Sequence, residues 1–122
     1  MSELADCPCS GGTLDWLIQP AVLIVLAEGP LHGYRIGERL GEMATFAARK
    51  PDISGVYRFL KSMERKQLVI GKSDVSGSGP ARKCYHITAS GRLCLQEWIR
   101  TLEDYREHIT ALLQTARTVV QP

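Results

Sequence analysis

The regular pattern of the chain begins with a segment that is apolar on nearly every side. The run "AVLIVLA" at positions 21–27 continues apolar residues that start at position 14, and the pattern predicts a helix over residues 13–27. A helix without a polar face must be covered on several sides. One small domain covers such a helix poorly, so the pattern hints at a partner chain. The residues "EGP" at 28–30 end the helix.

Two shorter helices are predicted next, over residues 31–43 and 52–66, with Asp52 as the cap of the later one. The inward face of the earlier helix carries Ile36, Leu40 and Met43.

Three glycines recur every four residues along one side of the helix over 31–43. Each one weakens a helix by about 1 kcal/mol relative to alanine. One explanation is a close backbone approach to a neighbouring helix; the other is that the outer two mark the ends of the helix. The sequence leaves both open for Gly33, Gly37 and Gly41.

A hairpin and a long helix complete the pattern. "LVIGKSDV" from position 68 and "RKCYHI" from position 82 predict two strands, and "SGSGP" between them predicts a turn. Thr88 then caps a helix over residues 89–117. The returning strand directs Tyr85 and Ile87 to one side and Arg82, Cys84 and His86 to the other.

The last helix carries an apolar stripe that one domain cannot bury, because about 28 residues at ~1.5 Å each extend over ~42 Å. Packing against the first helix and against a second subunit is the natural solution, so we expect a two-fold homodimer. The residues predicted to form it are Leu95, Trp98, Ile99, Leu102, Tyr105, Ile109, Leu112 and Leu113.

The third helix has an apolar face and an opposite face rich in cations. At 100° per residue, the outer face gathers Ser54, Arg58, Lys61 and Arg65, which we call the basic stripe, while Glu64 lies on its flank. Such a stripe suits a groove lined by phosphates. In the hairpin, Arg82 and Lys83 follow a glycine-rich tip and lie where phosphates would be. A solvated helix face is the alternative explanation.

Three helices followed by a hairpin is the element order of a winged helix-turn-helix, in which the third helix enters the DNA major groove. The predicted fold class is therefore mostly α, with a two-stranded β-wing and a long C-terminal dimerisation helix. We divide the chain into a flexible N-terminus (1–12), a DNA-binding domain (13–88), and a dimerisation helix with its tail (89–122).

Composition and charge narrow the function classes. The chain has 122 residues, 44% of them hydrophobic, and a net charge of +2, so charge alone does not argue for a polyanion partner. The longest apolar run is too short to span a membrane, and the acidic N-terminus is unlike a secretory signal, so we expect a cytoplasmic protein. No nucleophile–base pair, phosphate loop or carboxylate pair predicts an enzyme or a cofactor.

The four cysteines lie at positions 7, 9, 84 and 94, and reduced thiols are expected in a chain without an export signal. Cys7-Pro8-Cys9 could sense a metal or an oxidant together with Cys84 or Cys94. Because no Cys-x-x-Cys pair is present, we predict no metal site and keep the thiol sensor as an alternative.

Three stretches together resemble the PadR-like transcriptional regulators. They are "AVLIVLAEGPLHGYRIGERL", "SGVYRFLKSMERKQLV" and "GPARKCYHITASGRLCLQEW", and the resemblance covers roughly residues 14–115. Each stretch alone is weak evidence for the resemblance, but the three in the right order are strong evidence. Gln67 stands where the family usually has glycine after the recognition helix.

The resemblance implies a homodimeric repressor with a C-terminal dimerisation helix. It also implies DNA contacts from Tyr34, Tyr57 and the basic residues of the third helix and the wing. Some members of the family bind flat aromatic compounds at the dimer interface, and Trp16 and Trp98 could line such an effector pocket here, with plain core packing as the alternative. A winged-helix module that binds a protein instead of DNA is the second functional hypothesis.

Overall fold

A computed structural model describes residue 9 and residues 15–74 and 82–121. A 3-10 turn at Asp15–Leu17 leads into α1 (Ile18–Glu28), β1 (Leu31–His32) and α2 (Gly33–Glu42). A second 3-10 turn at Ala44–Phe46 precedes α3 (Ile53–Arg65), and then come β2 (Val69–Asp74), β3 (Arg82–Ile87) and α4 (Ala89–Val120). The predicted turn at 76–80 lies outside the described residues.

Helix α1 begins at Ile18, five residues later than position 13, where we predicted its start. Pro20 explains the difference, because a proline has no backbone N–H and its ring clashes with the carbonyl four residues earlier in a helix interior. Within the first turn the backbone N–H groups have no partner inside the helix, and proline is tolerated there. The chain before Ile18 therefore forms a 3-10 turn instead.

The core surrounds α1. Val22, Leu23, Val25 and Leu26 are at most 1% exposed, and α1 contacts α2, α3, α4 and β3. Among the large apolar residues of α1, Ile24 remains exposed at 40%. The expectation that one chain covers this helix poorly was therefore wrong, since the other elements of the same chain bury almost all of it.

The sheet has a third strand that the sequence pattern did not predict. β1 pairs antiparallel with β3 through Leu31 opposite Tyr85 and His32 opposite Cys84, so the strand order is β1–β3–β2. Two residues are too few to show the alternation that identifies a strand. The helix predicted from position 31 accordingly begins at Gly33. The β2–β3 hairpin, which we call the wing, agrees with the prediction.

Helix α3 ends in a Schellman motif centred on Gln67. The Leu68 N–H donates to the Met63 carbonyl at 2.9 Å and the Gln67 N–H donates to the Glu64 carbonyl at 3.0 Å. Gln67 has a φ of 62°, the left-handed conformation that glycine adopts most easily. This explains why the family's usual glycine fits this position.

Thr88 joins the end of α3 to the start of α4. Its hydroxyl oxygen accepts a 2.9 Å hydrogen bond from the Gly91 N–H, as the predicted cap should, and lies 2.7 Å from the carbonyl oxygen of Gln67. A side chain at Gly91 would collide with the backbone carbonyl of Leu68. The start of α4 therefore lies close against the turn that follows α3.

Helix α4 extends about 48 Å, since its 32 residues each rise ~1.5 Å. Leu95 and Trp98, near its start, pack against the core, whereas residues 103–121 are all exposed in the single chain. Of the described helices, none has both the length and the apolar character needed to cross a membrane. Three helices, a small sheet with a wing and a long final helix make a winged helix-turn-helix fold, as predicted.

Candidate nucleic-acid interface

The basic stripe lies on the outer face of α3. Ser54, Arg58, Lys61 and Arg65 are all exposed, whereas Val56, Leu60 and Met63 on the opposite face are fully buried. Among the ion pairs between described residues, none involves the three cations of this stripe. Their charges therefore face solvent and are available to a polyanion.

The glycine side of α2 faces α3 and the segment before it. A Cβ on Gly33 would lie 2.5 Å from the Tyr57 ring, one on Gly37 would lie 2.6 Å from Ile53 Cδ1, and one on Gly41 would lie 2.8 Å from Lys50 Cε. Of the two explanations that the sequence left open, close approach accounts for these glycines, and Gly33 is also the first residue of the helix.

The two tyrosines that the family resemblance assigns to DNA differ in their surroundings. Tyr34 is 65% exposed at the start of α2, while Tyr57 is 41% exposed and its ring rests against Gly33. Tyr57 thus also holds α2 and α3 in their relative positions.

A small groove opens where α2 meets the start of α3. Its volume is about 280 Å³, and it is lined by Tyr34, Gly37, Glu38, Lys50, Pro51, Asp52 and Ile53.

Asp52 is the N-cap residue of α3, but its side chain makes no capping hydrogen bond. The predicted cap is therefore right in position and wrong in its side-chain contact.

One of the two cations of the wing pairs with α3. Arg82 and Lys83 are both exposed on β3, yet Lys83 Nζ donates a 2.9 Å hydrogen bond to Glu64 Oε1 of α3. This hydrogen bond raises the pKa of Lys83. Sequence reasoning placed Glu64 on the flank of the stripe but missed this partner. The alternation of β3 contained the signal, because Lys83 shares a strand face with the buried Tyr85.

His32 connects the start of α2 to the wing. It occupies the N-cap position of α2 without a capping hydrogen bond from its side chain. Its Nε2 lies 3.2 Å from the Asp74 carboxylate at the end of β2. The wing is thus fixed to the body of the domain by a polar contact as well as by the sheet.

The two tryptophans proposed for an effector pocket lie in different surroundings. The Trp16 and Tyr105 rings meet edge to face at a centroid distance of 5.3 Å and, with His108 and Ile109, line an open groove of about 360 Å³. Trp98 is not among the residues that line this groove; it packs against the core.

The residues predicted to form a dimer fall into two groups. Leu95, Trp98 and Leu102 are partly buried within the single chain. The exposed ones continue the apolar stripe along α4: Ile99, Tyr105, Ile109, Leu112 and Leu113.

The described cysteines make no metal site. Cys84 and Cys94 are half-buried, and the described part of the chain holds no group of three metal-ligating side chains. Burial raises the pKa of the Cys94 thiol. Cys7 and Pro8 of the Cys-Pro-Cys motif lie outside the described residues.

A helix-turn-helix with a basic outer face, a β-wing and a long terminal helix defines the winged-helix class of transcription regulators. The sequence pattern of the "Transcriptional regulator PadR-like family" matches residues 22–97, and the chain belongs to this family. Members of the family are transcriptional regulators and not enzymes. No curated protein matches the chain.

Solved structures share the fold. A protein described as a transcriptional regulator from Thermoplasma acidophilum is 30% identical, with a TM-score of 0.72 over 83% of this chain and 94% of that one. A PadR-like transcriptional regulator from Bacillus cereus is 25% identical, with a TM-score of 0.67 over 83% and 95% of the two chains. Bacillus subtilis PadR in complex with operator DNA is 24% identical, with a TM-score of 0.61 over 68% of this chain and 46% of that one.

Proposed function

We propose that the protein is a sequence-specific DNA-binding repressor that acts in the cytoplasm as a homodimer. The observation that carries the proposal is the basic stripe of α3, whose three cations are exposed and whose opposite face is buried in the core. A similar fold is known in complex with operator DNA in Bacillus subtilis PadR.

The roles of individual residues follow from their positions. Arg58 and Lys61 lie in the middle of the stripe, where base edges and phosphates are both within reach. Ser54 and Arg65 lie at the two ends of the stripe, and Tyr34 is exposed at the start of α2. Hydroxyls and cations at the margin of such an interface contact the sugar–phosphate backbone. Arg82 extends this surface to the wing, where backbone and minor groove are accessible.

Two copies related by a two-fold axis require a two-fold operator. The two α3 helices of a dimer would enter successive major-groove faces, so the operator should be an inverted repeat. Its half-site centres should lie about one helical turn, or a multiple of one turn, apart.

A small aromatic effector is part of the proposal. The groove beside Trp16 and Tyr105 is lined by an indole, a phenol, an imidazole and an isoleucine side chain, and such surfaces accept flat apolar compounds. Three of the four residues that line the groove belong to α4, the proposed dimerisation helix, so a bound compound would change how the two subunits of the dimer pack. Quenching of Trp16 fluorescence by a panel of flat aromatic compounds tests this, with a variant carrying Trp16→Phe as the control.

The DNA proposal is tested by selecting bound fragments from a random DNA library and titrating the dimer against the enriched site. Arg58→Ala should weaken binding about 5- to 150-fold, corresponding to about 1–3 kcal/mol, and relax preference at one position per half-site. Arg100→Ala, which removes an exposed arginine of α4, is the matched control. If no sequence is enriched, the chain is a protein-interaction module instead.

A further inference from the structure

The ion pair between Lys83 and Glu64 joins the wing to the recognition helix. Its two side chains are 48% and 31% exposed, so the pair lies at the surface, on the edge of the proposed DNA interface. Glu64 follows Lys61 and precedes Arg65, both of the basic stripe. A negative charge at this place opposes phosphate binding unless a cation neutralises it.

The absence of a side chain at Gly71 leaves space for the ion pair. A Cβ on Gly71 of β2 would lie 2.6 Å from Lys83 Cε and 3.0 Å from Glu64 Oε2. The Lys83 side chain therefore crosses β2 at a position without a side chain. Its ammonium also lies 5.8 Å from the centre of the buried Tyr85 ring, a cation–π contact.

The two neighbouring cations of the wing consequently have different surroundings. Lys83 and Tyr85 are two residues apart on β3 and share one face of the strand, from which Lys83 reaches Glu64 of α3, whereas Arg82 lies on the other face. The Lys83 side chain contacts the Glu64 carboxylate and the Tyr85 ring and lies over Gly71, so its direction is fixed.

Resting on the proposed function, we propose that Glu64 is a positioning residue that holds Lys83 against α3. It thereby docks the wing on the recognition helix and withholds the Lys83 charge from the DNA backbone. In the complex, Arg82 contacts phosphate, and Lys83 and Glu64 neutralise each other. Glu64 therefore limits both the affinity for DNA and its dependence on salt.

The proposal predicts opposite effects for the two partners. Without the Glu64 charge, Lys83 is released to bind a phosphate, and each such contact steepens the salt slope by about 0.9. A dimer carries the substitution twice, so the slope should steepen by about 1.8. Without Lys83, the remaining Glu64 carboxylate repels the backbone and DNA binding weakens.

The experiment measures operator affinity at several salt concentrations for the wild type, Glu64→Gln, Lys83→Gln and the double variant. Glu64→Gln should bind roughly tenfold more tightly at low salt with the steeper slope. Lys83→Gln should bind more weakly, and the double variant should return to the wild-type slope and to within about twofold of its affinity. Glu107→Gln on α4 and Lys72→Gln on β2 are matched controls for the changes in charge.

Two results would overturn the proposal. In one, Glu64→Gln binds like the wild type while Lys83→Gln makes the slope shallower in both backgrounds, which means that Lys83 itself contacts phosphate. In the other, Glu107→Gln tightens binding as much as Glu64→Gln, which means that the effect is one of overall charge.

A measurement without DNA separates this proposal from the proposed function. Nitrogen NMR of the Lys83 ammonium should show a lower pKa in Glu64→Gln than in the wild type, because the hydrogen bond to Glu64 raises it. An unchanged pKa contradicts the docking of the wing whether or not DNA binds. If the wild type selects no DNA, the proposed function fails. If it does and Arg58→Ala weakens binding while Glu64→Gln changes nothing, only the role of Glu64 is wrong.

Discussion

The indole Nε1–H of Trp98 donates a 2.8 Å hydrogen bond to the Gln19 side-chain oxygen and so joins α4 to the first turn of α1. Both side chains are partly buried, and Trp98 packs against the core. The contact spans 79 residues of sequence and lies where the terminal helix leaves the body of the domain. It therefore fixes the direction in which α4 projects.

Replacing Trp98 by phenylalanine should lower the free energy of unfolding by about 1–2 kcal/mol, because the hydrogen bond is lost and a smaller ring fills the site. In a double-mutant cycle with Gln19→Leu, the coupling between the two residues should be about 1 kcal/mol. Urea unfolding at one fixed protein concentration measures both, since oligomerisation shifts apparent stability. Gln96→Leu on the exposed side of α4 is the control, and a Trp98→Phe variant as stable as the wild type would contradict the assigned role.

The sequence was sufficient to predict the basic stripe because an isolated helix face depends on local periodicity alone. Ser54, Arg58, Lys61 and Arg65 lie on the face opposite Leu60 in the structure, as 100° per residue requires. The cap at Thr88 is likewise a local contact, made to a backbone N–H three residues away. Helical periodicity and capping preferences therefore predict a contact correctly where the two residues are close in sequence.

Contacts between segments that are far apart in the sequence could not be predicted from local patterns. The strand pairing of Leu31 with Tyr85 joins residues 54 positions apart, and nothing in a two-residue segment indicates it. The start of α1 at Ile18 could have been predicted, because Pro20 does not fit a helix that begins earlier. The prediction instead followed the apolar pattern, which begins at position 14. The pairing of Lys83 with Glu64 required the position of the wing relative to α3, which only the folded chain defines.

The left-handed residue after α3 gives a prediction on stability. Gln67→Gly should raise the free energy of unfolding by about 0.5–1 kcal/mol, because glycine adopts a positive φ without the steric cost of a Cβ. Thermal or urea unfolding measures the change, with Gln67→Ala as the control that shortens the side chain but keeps the Cβ. A destabilised glycine variant would show that the Gln67 side chain contributes more than its backbone conformation costs.

Two glycines of α2 should respond differently to alanine. At Gly33 the new methyl group meets the Tyr57 ring, which must move, so Gly33→Ala should weaken DNA binding by about threefold or more. At Gly37 it meets only the end of the Ile53 side chain, which is 38% exposed and free to rotate. Gly37→Ala should therefore leave affinity unchanged and stabilise the protein by up to about 1 kcal/mol. Equal effects of both variants on affinity would rule out a special role for Tyr57.

The cysteines should be dispensable for DNA binding. Changing Cys7 and Cys9 to serine should leave operator affinity within about twofold, well below the tenfold that ~1.4 kcal/mol represents. A collapse of affinity, or one bound metal ion per chain in elemental analysis, would favour the thiol-sensor hypothesis instead.

The thiol of Cys94 on α4 should react slowly. Because burial raises the pKa of Cys94, a smaller fraction is thiolate at neutral pH. In a variant that keeps Cys94 alone, reaction with a disulfide reagent at pH 8 should be slower than that of a free thiol and should accelerate in urea, where the burial is lost. Reaction as fast as that of a free thiol would show that this site is open to solvent.

The last prediction concerns the apolar stripe of α4. Leu112 is 71% exposed in the single chain, and a glutamate there should prevent two copies from packing because it would place charges in an apolar contact. Ala111→Glu adds the same charge one residue earlier, about 100° around the helix from Leu112 and on the side away from Tyr105 and Ile109, and should leave the dimer intact. Sedimentation should show a dimer for the wild type and Ala111→Glu and a monomer for Leu112→Glu, which should also bind its operator at least about 100-fold more weakly, since two linked half-site contacts become one. A well-folded wild-type monomer would refute the homodimer, and a dimeric Leu112→Glu would place the interface elsewhere on the chain.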